Sequence, residues 1–360
     1  MSSSTNCDNS NPNTLRPWPL LRGLLAIALV GFLLSRAPLS EIAASFLSAA
    51  TSPRRVSAAL LLVGLALLAG AARWHLLLSA QGVPLRLRET VRYFFYGQFF
   101  NTFFPGGCGG DLVRLFLVVR RSPHRKTAAA GTVVLDRLLG LYFYVAAVCV
   151  LLGIYELVPV PGLPRGAVVF TAAVILALSL AAVVLPLARP ARLRSWLARA
   201  GRKSPRRLVR LLYALADSAA LYLDKPGAVL GALFLSLLNF ALLAGACLSF
   251  AHALRLAADQ ALIVAVFSAA TLIGAVPLTP GALGVRETGY VLLLQSAGVS
   301  AAGALSLALL MYLAGVLWGL PGAAAFVFYA RQSPRALLRE ARRTLSPRSP
   351  DEFSVPGSSA

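Results

Sequence analysis

Long apolar runs recur along this chain, and they set what it can fold into before any motif is considered. Segments at about 18–35, 57–79, 127–155, 165–188 and 226–251 reach or approach the ~20 residues a helix needs to cross a ~30 Å hydrocarbon core. A sixth span, at about 300–330, closes a longer apolar tract of about 260–330 that Pro277, Pro280, Gly281 and Gly284 interrupt. At 58% hydrophobic and 13% charged residues, with a mean hydropathy of +0.74, the chain has too few polar side chains to cover a water-exposed surface. The expected fold is therefore all-α: a polytopic transmembrane bundle of about six spanning helices plus two re-entrant broken hairpins.

A formal net charge of +21 raises the question of nucleic acid. The cations are instead concentrated between apolar segments, which points to membrane topology and to no nucleic-acid partner. Residues 189–210 carry Arg189, Arg192, Arg194, Arg199, Arg202, Lys203, Arg206, Arg207 and Arg210 without an acid, and a second basic stretch runs from Arg331 to Arg348. The positive-inside rule assigns both to the cytoplasm, together with both termini. The same patches could also touch anionic lipid headgroups. The loop 36–56 then lies outside although it holds Arg36, Arg54 and Arg55 against Glu41, so it obeys the rule only in part. Residues 1–14 and 336–360 read as disordered cytoplasmic tails flanking one membrane domain, 15–335, with repeat halves of about 15–155 and 165–330 and a basic loop at 189–225. The first run could be a cleaved signal peptide, but an uncleaved helix is expected because the repeat requires it. Cys7, Cys108, Cys149 and Cys247 are scattered, so neither a disulfide nor a metal site is expected, and no cofactor.

Two apolar regions are broken in the middle by Pro and Gly: 92–120, containing NTFFPGGCGGDLVR, and 267–294, containing VPLTPGALGVRE. Pro105-Gly106-Gly107-Cys108-Gly109 aligns with Pro280-Gly281-Ala282-Leu283-Gly284 at an offset of 175, nearly half the chain, and an acid and an Arg follow in both. Spans 57–79 and 127–155 map onto 226–251 and 300–330 at a similar offset. Combined with the charge-derived topology, the two copies run in opposite senses. Inverted repeats with paired interrupted helices are the pattern of secondary transporters, whose substrate sites lie at the interruptions.

Asp111, Asp136 and Glu287 stand deep in apolar sequence, each beside an arginine: Arg114, Arg137 and Arg286. A charge at the centre of a membrane helix costs about 2.5–3.5 kcal/mol on insertion scales, so all six side chains are expected to face one interior cavity. Asp111 and Arg114 share a helix face at i, i+3. The adjacent pairs Asp136/Arg137 and Arg286/Glu287 point about 100° apart and should find partners on other segments. Such charges can brace a bundle, or the arginines can receive an anionic headgroup while the acids balance them or carry protons. Unpaired amides from Gly107 to Gly110 at a helix start offer a second anion-binding element, though no GKS or GKT makes this a nucleotide loop. Asn101 and Gln98 could bind ligand or satisfy broken backbone, and Thr279 and Glu287 play comparable parts in the second hairpin. His75, His124 and His252 read as interfacial, and Trp18 and Trp74 as belt anchors.

In the blocks FFNTFFPGGCGGDLVR, VVLDRLLG and PLTPGALGVRE, and over roughly 15–335, the sequence resembles the lysylphosphatidylglycerol synthase transmembrane-region family, also described as flippase-like. The resemblance implies that Pro105 to Asp111 (with Gly106, Gly107, Gly109 and Gly110), Leu135 to Arg137, and Pro280 to Glu287 (with Gly281, Gly284 and Arg286) carry its motifs. It also implies a multi-pass protein of a bacterial-type cytoplasmic membrane. Bifunctional members add a large soluble transferase domain, which the segment 189–225 is too short to be, so aminoacyl transfer by this chain is not expected. The leading expectation is translocation of an anionic phospholipid or lipid-linked headgroup. The alternative is a non-catalytic accessory of a partner aminoacyl- or glycosyltransferase; a pure scaffold is the third.

Overall fold

The computed structural model describes residues 28–154, Tyr222 and residues 225–332, except 30, 34, 36, 104–108, 276–278 and 280–281. The described residues form helices and the turns that connect them, with no strand among them. After helical residues between 28 and 35 come α1 (Leu39–Ala50), α2 (Pro53–Ala80), α3 (Leu87–Phe103), α4 (Gly109–Arg121) and α5 (Lys126–Ile154). The second half supplies α6 (Pro226–Ala253), α7 (Gln260–Gly274), α8 (Val285–Gln295) and α9 (Ala301–Gln332).

Length separates these helices into two kinds. Four are long and apolar enough to cross a membrane: Pro53–Ala80, Ala128–Val150, Pro226–Ala253 and Ala301–Tyr329. At 1.5 Å per residue the 28 residues of α2 cover about 42 Å, more than the hydrocarbon core. The 17 residues of α3, 13 of α4, 15 of α7 and 11 of α8 are each too short to cross, rising only about 16–26 Å. They pack in pairs, α3 on α4 and α7 on α8, with the Pro-Gly breaks between the arms. The arms begin earlier than the sequence indicates, at Leu87 and Gln260. Of the other two expected spans, 18–35 lies mostly, and 165–188 wholly, outside the described residues, as do both tails and the basic loop apart from Tyr222 and Lys225.

Both halves thus read long helix, broken hairpin, long helix, and their packing is symmetric: α3 lies on α9 as α7 lies on α5, and α2 lies on its own counterpart α6. The α2–α6 contacts fix the relative sense. Arg55 Nη1 donates to the His252 carbonyl (2.7 Å), Asn239 Nδ2 to that of Ala66 (2.6 Å), Arg73 Nη1 to Ser236 Oγ (3.1 Å) and Lys225 Nζ to the Ala80 carbonyl (2.7 Å). Rising numbers on α2 meet falling numbers on α6, so two equivalent helices run antiparallel, the mark of an inverted repeat. The first hairpin therefore opens where α2 ends, and the second opens at the opposite face, where α2 begins.

Close approach of backbones holds this frame together. A Cβ on Gly110 would collide with the carbonyl of Gly97 across the α3–α4 hairpin, and one on Gly322 of α9 with the carbonyl of Phe95 on α3. Small residues at helix crossings let van der Waals packing act where lipid removes the hydrophobic drive between helices. Tyr96 adds an edge-to-face contact with Phe326 (5.3 Å between centroids) and donates to the Ala325 carbonyl (3.1 Å). The second hairpin enters its second arm through left-handed backbone. Gly284 takes φ +83° at the start of α8, and Ala282 holds φ +58°, a left-handed conformation that costs a residue with a Cβ about 1–2 kcal/mol.

Candidate functional site

Three helices of the first half bring one ionic ladder together. Arg73 on α2 places Nε 2.7 Å from Asp136 Oδ1 on α5. The other oxygen, Oδ2, lies 3.5 Å from Nη1 of Arg114 on α4, and the same Nη1 is 3.6 Å from Asp111 Oδ1, one turn earlier. Asp111 Oδ2 accepts from Nε of Arg137 on α5. The order is Arg73, Asp136, Arg114, Asp111, Arg137: three cations alternating with two carboxylates. Exposure rises along it, from 7% and 6% for the side chains of Arg73 and Asp136 to 13% for Asp111 and 35% for Arg137.

The surroundings make these charges tolerable. The Arg114 guanidinium lies over two aromatic rings, 3.8 Å from the Phe94 centroid and 5.3 Å from that of Trp74. Gly97 leaves the room it occupies, since a Cβ there would sit 2.5 Å from Arg114 Nε. Arg73 packs its guanidinium 3.3 Å from where a Cβ of Gly140 would be, and it hydrogen-bonds Ser236 on α6. The ladder thereby ties the two halves together.

Several expectations are met and others corrected. Asp111, Arg114, Asp136 and Arg137 do meet, and the neighbours Asp136 and Arg137 do find partners on other segments. Arg286 and Glu287 do not join them: Arg286 Nη2 lies 3.2 Å from Glu287 Oε1, so these neighbours pair with each other. Rotation about the long arginine stem outweighs the ~100° between their Cβ directions. The expectation that Arg286 and Glu287 find partners on other segments is therefore corrected to a local pair, and the ladder gains a residue the sequence did not single out, Arg73. Tyr144 on α5, two turns beyond Asp136, lies within electrostatic reach of both Arg73 and Arg286.

The glycine amides are not all free. Gly109 and Gly110 are buried, and the Gly110 N–H donates to Asn101 Oδ1 (2.8 Å), so Asn101 caps α4. Glu287 does the same for the second hairpin, accepting from the Gly284 N–H at 2.7 Å, and Thr279 Oγ1 donates to the Leu283 carbonyl (2.8 Å). Pro105, Gly106, Gly107, Pro280 and Gly281 lie outside the described residues. Trp74 is no belt anchor: it is fully buried, with Nε1 3.3 Å from Thr132 Oγ1. His75 Nδ1 meets Thr90 Oγ1 at 3.1 Å. Trp18 is outside the described residues.

Sequence reasoning missed Arg73. The signal was present, since a lone cation follows Gly70-Ala71-Ala72 within an apolar span, where small neighbours make room for a charge that must pair internally. In the second hairpin Arg286 lies 5.6 Å from the Tyr312 ring, and its buried Nε has no hydrogen-bond partner among the described residues.

Spanning helices, an inverted pair of broken hairpins and an ionic ladder at membrane depth define a polytopic helical membrane protein with a polar interior. The family model for the lysylphosphatidylglycerol synthase TM region matches residues 20–347, and the chain belongs to that family. Comparison with curated proteins gives no match.

Proposed function

We propose that this protein translocates an anionic phospholipid or lipid-linked headgroup across the cytoplasmic membrane, with the first-half ladder as the station that receives the anion. The carrying observation is the line of guanidinium groups at membrane depth, Arg73, Arg114 and Arg137, whose exposure rises toward Arg137. Arg137, the end member of that line, is 35% exposed, so a headgroup arriving there meets guanidinium rather than hydrocarbon. Charges in low dielectric are costly unless partners of opposite sign compensate them, and guanidinium groups in a line offer a phosphate such partners. Guanidinium matches phosphate oxygens bidentately, which favours Arg over Lys in this role.

Depth supports the reading. Asp136 lies about eight residues into the apolar stretch Ala128–Val150, roughly 12 Å from the membrane face by helical rise. Arg286 sits nine residues before Gln295 at the open end of the second hairpin, roughly 13 Å from the opposite face. Each broken hairpin thus carries charge inward from its own side, which suits alternating exposure of one polar path by rocking of the halves. The reading assigns no catalytic step to the chain.

The test is reconstitution of the full chain in vesicles with fluorescent phosphatidylglycerol in both leaflets, read by bleaching of the outer leaflet. Exchange well above protein-free vesicles is expected, with phosphatidylcholine moved more slowly. Arg137→Gln should abolish the acceleration while leaving the thermal transition in place. Protein-free exchange rates with wild-type protein would contradict the proposal and favour an accessory of a partner transferase.

A further inference from the structure

The two hairpin mouths differ in charge far more than the two hairpin interiors do. At the first mouth α2 ends at Ala80, α3 starts at Leu87, α4 ends at Arg121 and α5 starts at Lys126. Polar contacts clasp these ends together: Arg121 Nη2 lies 3.8 Å from Glu89 Oε1, and Arg125 Nη1 donates to the Gln81 carbonyl at 2.6 Å. Around the clasp Arg86, Arg88, Arg92, Arg121, Arg125 and Lys126 are all exposed, and Glu89 is the only carboxylate among residues 86–92 and 120–126.

The second mouth carries far fewer cations among the described residues. Arg54, Arg55 and Arg255 stand there with Asp259, which caps α7 by accepting from the Ala261 N–H at 2.7 Å. The positive-inside rule explains a difference in sign between faces. It does not require the cations to crowd the opening of the hairpin that carries the ladder. Arg114 stands seven residues before Arg121 on α4, two turns and about 10 Å inward from this rim.

We infer that the rim at the open end of the first hairpin is a docking surface for anionic lipid headgroups, gathering them from the adjoining leaflet beside the ladder. Its part in transport rests on the proposed function; headgroup enrichment at the rim does not. An exposed Lys or Arg close to an anionic leaflet raises local headgroup occupancy about fivefold, and the effect fades within a Debye length. Tyr329 adds a polar contact on the same side, its hydroxyl 3.1 Å from Arg120 Nη1.

The experiment uses the full chain in phosphatidylcholine vesicles carrying a trace of spin-labelled phosphatidylglycerol or spin-labelled phosphatidylcholine. The motionally restricted fraction of each label measures selectivity for the anionic lipid at the protein surface. Wild type is expected to prefer phosphatidylglycerol several-fold at low ionic strength and to lose most of that preference near ~1 M salt, where the Debye length is about 3 Å. The triple variant Arg88→Gln/Arg92→Gln/Lys126→Gln, altered only at exposed side chains, should lose at least about threefold in selectivity at an unchanged thermal transition. Arg54→Gln at the opposite mouth should change it little. An unchanged preference in the triple variant, or an equal loss in Arg54→Gln, overturns the inference. Selectivity that depends on the rim in a protein showing no lipid exchange would uphold the docking surface while removing the transport reading.

Discussion

The two broken hairpins occupy equivalent places in one inverted frame, yet they handle charge in opposite ways. The first exports its charges: Asp111 and Arg114 reach to Asp136 and Arg137 on α5, and the ladder continues to Arg73 on α2 and Ser236 on α6. The second keeps its charges local, with Glu287 accepting from both Arg286 and the Gly284 amide at the turn it helps to build. Their glycines differ in the same sense. Gly97 and Gly110 bring α3 and α4 into backbone contact, whereas Gly289 faces Ala270 at an ordinary 3.4 Å from its would-be Cβ. One hairpin is a brace between halves, the other a self-contained turn.

The largest expected effect comes from removing the shared carboxylate of the brace. Asp136→Ala leaves Arg73 and Arg114 buried without their common partner, and loss of one member of a buried ion network costs about 3–5 kcal/mol. Thermal unfolding in detergent should show a strongly lowered transition or loss of folded protein; an unchanged transition would mean the ladder carries no structural weight. Gly110→Ala should come next, at about 3 kcal/mol, because its Cβ meets the Gly97 carbonyl, a backbone atom that cannot rotate away. The matched change Gly289→Ala should cost less than about 1 kcal/mol, and equal losses at the two positions would break the contrast between hairpins. Glu287→Gln keeps an acceptor for the Gly284 amide but loses the charge, so a loss of about 1 kcal/mol is expected. Smallest is Ala282→Gly, which relieves the positive φ and should raise stability by about 0.5 kcal/mol, the relief being partly offset by the entropy of glycine in the unfolded chain.

Much of the frame was legible because bilayer thickness is a ruler. Apolar runs of ~20 residues and Pro-Gly interruptions at a fixed offset follow from constraints that act on sequence directly. The partners of the charges were less legible. The Asp111–Arg114 contact follows from helical spacing, but Arg73 with Asp136 depends on how α2 crosses α5, which no local spacing encodes. Arg286 and Glu287 pair despite adjacent positions because a long flexible stem defeats a direction inferred from Cβ alone. Asn101 was open between ligand and backbone, and the 2.8 Å bond to the Gly110 amide places it with the backbone. Trp74 has the position of a belt residue by sequence, and only the packing of Arg114 and Thr132 around it shows that it is core.

The claim that the first-hairpin ladder is where an anionic headgroup is received is tested most directly by measuring phosphatidylglycerol exchange in two sets of vesicles, one with Arg137→Gln and one with Arg286→Gln. Exchange should fall to the protein-free rate in the first and drop less than about tenfold in the second, with both proteins folded. Equal rates, or a greater loss from Arg286→Gln, would contradict it.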